Sequence, residues 1–326
     1  MKYNGLDFPL TIDIAEKGEK LKLHINAVGE NMQENSNAFE AWAILLYLRE
    51  KKDIILYFEP MNLKDGFCFE DLSTKEQHYM RFLYRLSVYG KDMSDWFCVS
   101  EENQDVVASF QNAFNSVKKV NNYPDQCSDF NRKKGDEHVL EKAFTKNILD
   151  IKNKTIPPIE CNLHDQLPVG IFAEEKAKKA RIFCGGSSAI DLWGVDAKDN
   201  SFCIYELKKI EGNDSVGIIS ELYFYANIMC DLLNHRNGFE LNQTVSQFRG
   251  YEQIIDFIKK NKNKDIKIKA YFLVKKLHSR VEELKDEIIE LLNKNTKGIE
   301  FAIINYDADD RLDINVLVKE LNSSNV

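Results

Sequence analysis

The sequence predicts a mixed α/β fold, and three patterns lead to this prediction. Short apolar runs bounded by polar residues indicate strands, for example Asp53–Phe58 and Ile266–Val274. Between such runs, apolar residues recur every three or four positions, as in Asp214–Leu233, which indicates amphipathic helices. The two kinds of element alternate along the second half of the chain. A chain with this order places helices on the faces of a sheet.

The length of the chain, 326 residues, favours two domains. The segment Asn121–Gly135 is polar, is poor in aliphatic residues and contains Pro124, so it is the predicted linker. We therefore expect an N-terminal mixed α/β domain over residues 1–130 and a second domain over residues 131–326.

The first predicted domain contains strands and helices but no pattern that predicts a chemical function. Two alternating strands are expected over Leu10–Ile14 and Lys20–Ala27. Asn37 is the predicted N-cap of a helix that extends to about Leu48. The strand Asp53–Phe58 follows. Two further helices are expected over Thr74–Tyr89 and Glu101–Val120.

The second predicted domain is expected to hold a mixed sheet with helices on its faces. In chain order, its predicted elements are a helix over Asp136–Leu149, a helix over Phe172–Lys179, strands over Ala189–Val195 and Phe202–Lys208, helices over Asp214–Leu233 and Tyr251–Lys260, a strand over Ile266–Val274, a helix over Val281–Leu292 and a strand over Glu300–Tyr306.

The charge of the protein is unevenly distributed. The formal net charge is −8, and residues 1–130 hold 14 Lys and Arg against 21 Asp and Glu, whereas residues 131–326 hold 30 against 31. A basic segment, Lys259–Lys276, contains eight lysines and one acid. Such a segment can bind nucleic-acid phosphates, although solvated lysines are the alternative interpretation. The lysines expected to contact phosphates are Lys259, Lys260, Lys262, Lys264, Lys267 and Lys269.

The sequence predicts a cytoplasmic protein without a membrane association. No apolar run approaches the ~20 residues that span a bilayer, and Met1–Leu10 lacks the features of a signal peptide. The seven cysteines are odd in number and show no C-x-x-C spacing. They therefore indicate free thiols rather than a disulfide framework or a zinc site.

Charged residues occur on two neighbouring apolar strands. Asp191 lies in the first strand, and Glu206 and Lys208 lie at the end of the second. Residues two apart in a strand share a face, so Glu206 and Lys208 point the same way, and Asp191 lies beside them if the strands pair. Two carboxylates can hold Mg²⁺ through their oxygens. A lysine can orient or deprotonate a water and offset phosphate charge. The pattern predicts metal-dependent phosphodiester hydrolysis.

This pattern resembles that of the PD-(D/E)xK nuclease superfamily, which has the restriction-endonuclease-like fold. The resemblance covers residues 136–233. Asp191 matches the first metal-binding acid of the family, and Glu206-Leu207-Lys208 matches the (D/E)-x-K motif. The resemblance implies a Mg²⁺ or Mn²⁺ ion held by Asp191, Glu206 and the carbonyl oxygen of Leu207.

Two helices next to the motif have counterparts in the family. In many members the leading helix supplies another acid to the metal. Either Glu137 or Glu141 fills that role here, since residues four apart share a helix face, and Glu137 is preferred. Some members carry Q-x-x-x-Y on the helix after the motif. Glu221-Leu-Tyr-Phe-Tyr225 has this spacing with Glu in place of Gln, so Tyr225 is a candidate to face the site and contact nucleic acid.

These observations predict a Mg²⁺-dependent endonuclease that acts on DNA, for which restriction or anti-phage defence is a natural setting. RNA is the alternative substrate, and a homo-oligomer is compatible with the sequence. The sequence is also compatible with a protein of another class. This alternative is a nucleic-acid-binding or assembly scaffold of the same fold that does not use its metal site for catalysis.

Overall fold

The computed structural model describes residues 2–64, 66–121, 140–142, 144–145, 163–183, 188–196, 198–208, 215–241, 250–262, 264–308 and 314–317. The fold over these residues is mixed α/β, which confirms the predicted class. Among the helices of these ranges, none combines the length and the apolar character needed to cross a bilayer.

The first part of the chain forms a hairpin and a four-stranded sheet with three helices. The strands are β1 (Lys2–Tyr3), β2 (Leu6–Asp7), β3 (Ile12–Lys17), β4 (Lys20–Ile25), β5 (Asp53–Phe58) and β6 (Phe97–Val99). The helices are α1 (Phe39–Glu50), α2 (Thr74–Asp92) and α3 (Glu101–Ser116). In the sheet, β3 is antiparallel to β4, whereas β4, β5 and β6 are parallel. The parallel strands need crossover connections, which the helices provide.

Asn37 does not cap α1, so that prediction is wrong. Ala38 precedes the helix and makes no capping side-chain hydrogen bond. Asn37 is buried instead, and its Oδ1 accepts a hydrogen bond from Nη1 of Arg85 at 2.7 Å. Nε of Arg85 also donates to the buried Glu40 at 2.8 Å. A buried guanidinium needs such partners, so Asn37 is part of a hydrogen-bond network that joins α1 to α2.

The second part of the chain contains a six-stranded mixed sheet, called here the central sheet. Its strands are β8 (His164–Pro168), β11 (Ala189–Asp196), β12 (Ser201–Leu207), β14 (Lys267–Val274), β15 (Ile299–Ala308) and β16 (Ile314–Leu317), and they are adjacent in this order. Strands β12, β14 and β15 are parallel, and the outer pairs are antiparallel.

A smaller sheet connects the two predicted domains. Its strands are β7 (Lys119–Asn121), β9 (Ile171–Ala173), β10 (Arg181–Phe183) and β13 (Phe239–Glu240), in the spatial order β10-β9-β7-β13. Strand β7, which ends at the first residue of the predicted linker, pairs with β9 and β13, which follow the linker. Residues 122–135 of the predicted linker lie outside the described part of the chain. Backbone hydrogen bonds nevertheless join the two sides of it.

The helix predicted over Phe172–Lys179 is wrong. Phe172 lies in β9 opposite Val120 of β7, and a short 3₁₀ helix spans Lys178–Ala180. The Glu, Lys and Ala residues that follow Phe172 favour a helix by propensity. Pairing with a strand distant in sequence overrides this local preference.

Four helices accompany the later strands. They are α4 (Gly217–Leu233), α5 (Tyr251–Lys260), α6 (Ser279–Glu282) and α7 (Lys285–Asn295). Helix α4 packs on β12 and β14 and also on α1, which explains why nearly all of its residues are buried. The helix predicted over Val281–Leu292 is divided between α6 and α7. One hydrophobic core contains side chains from both parts of the chain.

A buried tyrosine–aspartate pair ties α2 to α4 and gives a testable pH dependence. Tyr84 Oη donates to Oδ2 of Asp231 at 2.9 Å, and burial raises the pKa of Asp231. When the pKa of a carboxyl is higher in the folded state than in the unfolded state, the unfolded state loses its proton first as the pH rises. The free energy of unfolding therefore falls above the pKa of the unfolded state, which is about 3.9 for Asp. In Asp231→Asn, Tyr84 still has an oxygen to donate to.

We therefore expect the Asp231→Asn variant to lose less free energy of unfolding between pH 4 and pH 7 than the wild type. Urea unfolding at a series of pH values measures this difference. The exposed Asp105 supplies the control, since Asp105→Asn should keep the wild-type dependence. The same loss in Asp231→Asn as in the wild type would contradict the expectation.

Candidate active site

Strand pairing brings Asp191 and Glu206 together at one end of β11 and β12. The two strands are antiparallel, with Leu192 opposite Tyr205, so that Asp191 and Glu206 are the next pair along. Oδ2 of Asp191 accepts a hydrogen bond from the backbone N–H of Leu207 at 2.9 Å. Asp191 is partly exposed, whereas Glu206 is buried. The two acids therefore share one end of the central sheet.

The ammonium of Lys208 lies between two carboxylates. Its Nζ donates to Oε1 of Glu206 and, at 3.1 Å, to Oε2 of Glu221. The backbone of Lys208 is fixed as well, because its N–H donates to the carbonyl oxygen of Leu273 at 3.1 Å and its carbonyl oxygen accepts from the hydroxyl of Tyr306 at 2.5 Å. The side chain of Lys208 is 19% exposed, so the ammonium is held close to the surface.

Helix α4 contributes a third carboxylate, from Glu221. This residue is buried although it carries a charge, and Oε1 accepts from the hydroxyl of Tyr225 at 3.2 Å. Tyr225 thus reaches the site through Glu221. Its own side chain is only 2% exposed, which contradicts its predicted contact with nucleic acid. In the sequence, Glu221 stands out only as a departure from the Q-x-x-x-Y motif. The signal that points to its role is an acidic residue inside an otherwise apolar helix.

A fourth acid, Glu141, also belongs to the site. It lies in the helical residues 140–142 and is buried. Its Oε1 accepts from Nε2 of Gln166 at 2.6 Å. Gln166 lies on β8 beside Asp191, and its φ of 58° is unusual for a residue other than glycine. Such strain is often found at functional sites. Glu137, the other candidate for the helix acid, lies outside the described residues.

Burial and the negative charge at the site raise the pKa of two of its carboxyls. Burial, together with the nearby charges of Glu221 and Glu141, raises the pKa of Asp191 to about 7 despite the opposing effect of Lys208. Burial also raises the pKa of Glu206 well above its ordinary value, and Asp191 and Glu221 raise it further. These directions follow because burial disfavours the charged form of a carboxyl, and because three carboxylates share the one ammonium of Lys208.

For Lys208 and Glu221, the nearby charges and hydrogen bonds outweigh the effect of burial on the pKa. Burial lowers the pKa of Lys208, but Glu206, Glu221 and Asp191 outweigh it and hold the pKa well above its ordinary value. Burial raises the pKa of Glu221, but Lys208 and the hydrogen bonds to Oε1 and Oε2 outweigh that effect and lower it. Lys208 is therefore charged at neutral pH. It suits the predicted role of cation and hydrogen-bond donor, and not that of a base.

The predicted metal donors are all oxygen atoms, which is the type of ligand that a hard cation takes. No group of three or more His, Cys, Asp or Glu side chains in the described part of the chain is arranged to hold a metal ion. The predicted donors are two carboxylates, from Asp191 and Glu206, and the carbonyl oxygen of Leu207. Oε2 of Glu206 is buried and has no hydrogen-bond partner among the described residues. An oxygen in that condition is costly, and oxygens are the ligands that Mg²⁺ and Mn²⁺ take.

Lys275 and Lys276 of the basic segment follow the end of β14. The other six lysines, which are those expected to contact phosphates, lie in α5, between α5 and β14 or in the first three residues of β14. Lys267 is opposite Ser201 at the start of β12, which is five residues, or about 17 Å, from Glu206. The structure thus does not bring these lysines next to the acids. Five of them are exposed: Lys259, Lys260, Lys262, Lys264 and Lys267. Lys269 is buried and pairs with Asp196 at 3.6 Å and with Asp199. Its predicted phosphate contact is therefore wrong.

Comparison of the chain with protein-family models, with curated proteins and with solved structures gave no match. The resemblance to the PD-(D/E)xK superfamily therefore stays a prediction. It rests on Asp191, Glu206 and Lys208 and on the two strands that carry them.

Proposed function

We propose that the protein is a metal-dependent nuclease that hydrolyses phosphodiester bonds in DNA. The observation that carries this proposal is the set of three carboxylates, Asp191, Glu206 and Glu221, around the ammonium of Lys208. A buried charge without compensation costs several kcal/mol. Strongly perturbed pKa values of this kind occur most often at functional sites. The excess of negative charge favours a bound cation.

The proposal gives a role to six residues of the site. Asp191, Glu206 and the Leu207 carbonyl oxygen would hold Mg²⁺ or Mn²⁺, which would supply Lewis-acid polarisation of the scissile phosphate and an acidic water. Lys208 donates hydrogen bonds to a phosphate oxygen or to the attacking water and offsets negative charge. Glu221 holds the Lys208 ammonium, and Tyr225 in turn holds Glu221.

Cleavage assays test the proposal. Purified protein should cut plasmid or single-stranded DNA in Mg²⁺ or Mn²⁺ and should stop in EDTA. RNA substrates belong in the same panel, because the site chemistry suits either nucleic acid. Intact DNA and intact RNA in both metals would rule out the proposed enzyme.

A second candidate function is a scaffold that binds nucleic acid and does not cleave it. The ion pairs of Lys208 with Glu206 and Glu221 favour it, because they give both carboxylates a counter-charge without a metal. Calorimetry separates the two candidates. DNA affinity without Mn²⁺ binding supports the scaffold, and Mn²⁺ binding that disappears in Asp191→Asn supports the nuclease.

The exposed lysines of the basic segment are expected to contact backbone phosphates. Replacing Lys259, Lys260 and Lys262 with Glu should weaken DNA binding about equally for all sequences, since a lysine ammonium reads bases poorly. The slope of the logarithm of the binding constant against the logarithm of the salt concentration should become shallower by roughly one per lost phosphate contact. Binding is measured over a salt series.

The control is a triple variant with the same change in charge at exposed lysines elsewhere. Lys17, Lys64 and Lys297, replaced with Glu, fill this role. A salt slope that is unchanged in the first variant would show that the basic segment is only solvated.

A further inference from the structure

A loop from the first part of the chain reaches the candidate active site. The loop comprises residues 31–35, between β4 and α1. Nε2 of Gln33 donates a hydrogen bond to Oε1 of Glu221. The two residues are 188 positions apart in the sequence. Oε2 of the same carboxylate accepts from Lys208 at 3.1 Å, so Gln33 and Lys208 bind the two oxygens of one side chain.

The loop is anchored at the start of α4, the helix that carries Glu221. Oδ1 of Asn35 accepts from the backbone N–H of Val216 at 3.0 Å, which satisfies one of the unpaired donors of a helix start. Oγ of Ser215 lies 3.0 Å from the carbonyl oxygen of Gln33. A Cβ on Gly217 would lie 2.4 Å from that same oxygen. Glycine at 217 therefore permits the close approach of the loop.

A chain of hydrogen bonds fixes which way the Gln33 amide points. Nη2 of Arg81 donates to Oδ1 of Asn31 at 2.8 Å, and Nδ2 of Asn31 donates to Oε1 of Gln33 at 3.0 Å. The amide oxygen of Gln33 is thereby engaged, and its NH₂ group faces Glu221. A carboxylate only accepts, so this orientation is the complementary one. The chain runs from α2 through the loop to Lys208.

We propose that Gln33 is a positioning residue of the nuclease site, supplied by the first part of the chain. Its hydrogen bond holds the Glu221 carboxylate so that Oε2 faces Lys208, and Lys208 is thereby kept beside Glu206. Without Gln33, Oε1 of Glu221 retains the donor from Tyr225 at 3.2 Å, and the carboxylate can turn. This inference rests on the proposed function, because the position of Lys208 matters only for a reaction at the site.

The first test observes Lys208 directly and needs no substrate. In metal-free protein labelled with ¹⁵N-lysine, the Lys208 Nζ signal is assigned by its absence in Lys208→Met. We expect Gln33→Ala to shift or broaden this signal, although Gln33 does not touch Lys208. Gln104→Ala is the matched control, since Gln104 is also an exposed glutamine whose amide donates one hydrogen bond, to the carbonyl oxygen of Val99. It should leave the signal in place.

The second test uses cleavage kinetics. Gln33→Ala should lower kcat by about 10-fold with little change in KM, because the lost contact acts on the reacting centre. Gln33→Glu should lower kcat further, since two carboxylates would then face each other. In the Glu221→Gln background, the effect of Gln33→Ala should largely vanish, which is the mark of two residues that act together.

The possible failures are distinct. A wild type that cleaves nothing overturns the proposed function, and the Lys208 signal still decides whether Gln33 positions that side chain. An unchanged Lys208 signal in Gln33→Ala overturns the inference. An unchanged kcat in Gln33→Ala, measured against an active wild type, overturns it as well.

Discussion

Glu206→Gln is expected to lower the cleavage rate by about 10³-fold or more without destabilising the metal-free protein. The change removes a predicted metal ligand with almost no change in volume. It also removes one of three carboxylates that crowd Lys208, and it is the one whose pKa Asp191 and Glu221 raise. Glu221 still pairs with Lys208 in this variant, and carboxylates in excess of their counter-charge repel, so the metal-free variant should be as stable as the wild type or more stable. Asp191→Asn should behave in the same way.

Melting curves with and without Mg²⁺ distinguish this site from a structural ion pair. A ligand that binds only the native state raises its stability, so Mg²⁺ should raise the wild-type Tm. The rise should disappear in Glu206→Gln and in Asp191→Asn. Glu40→Gln is the matched control, because Glu40 is also a buried acid in an ion pair, with Arg85, but lies outside the candidate site. The Glu40→Gln variant should have a lower Tm than the wild type, but Mg²⁺ should raise its Tm as much as it raises that of the wild type. Equal Mg²⁺ shifts in all four proteins would refute the metal site.

Lys208→Met is expected to abolish cleavage and, unlike the acid variants, to destabilise the metal-free fold by about 3 kcal/mol. Its ammonium is the counter-charge of Glu206 and Glu221. Removing it leaves buried carboxylates unpaired, and methionine restores the volume but not the charge. Because Lys208 is not a proposed metal ligand, Mg²⁺ should still bind. Mg²⁺ should stabilise this variant more than it stabilises the wild type.

Urea unfolding in EDTA and in Mg²⁺ measures both effects. Lys285→Met serves as the control, since Lys285 is 22% exposed, close to the 19% of Lys208, and pairs with one acid, Glu282. Its stability should change less, and its response to Mg²⁺ should match that of the wild type. A Lys208→Met variant as stable as the wild type in EDTA would contradict the described charge balance.

The parts of the fold that local patterns specify were predicted well. The bounds of β5 and α5 agree with the sequence, and β11 and β12 agree to within one residue at each end. These elements have strong apolar patterns with clear ends. Strands of two or three residues, such as β9 and β13, carry too little pattern of their own. Their conformation depends on pairing with β7 from a distant part of the chain.

The candidate site shows the same division. Asp191, Glu206 and Lys208 could be selected from the sequence because two adjacent strands carry them. Gln33 and Gln166 could not, because each contacts the site only through long-range packing. Glu221 is an intermediate case. The sequence shows an acidic residue within an apolar helix, but the contact of Glu221 with Lys208 depends on how α4 packs against β12.

The position of β7 has a consequence for how the protein unfolds. This strand lies between β9 and β13, so separating the two parts of the chain would leave two strand edges and part of a shared core without partners. Exposed edges of that kind invite intermolecular association. Because either part alone would lose strand pairing and core contacts, the two parts should unfold together in one cooperative transition. Through this linkage, occupancy of the site by a ligand would protect the described strands and helices of both parts against proteolysis, including those far from Asp191 and Glu206.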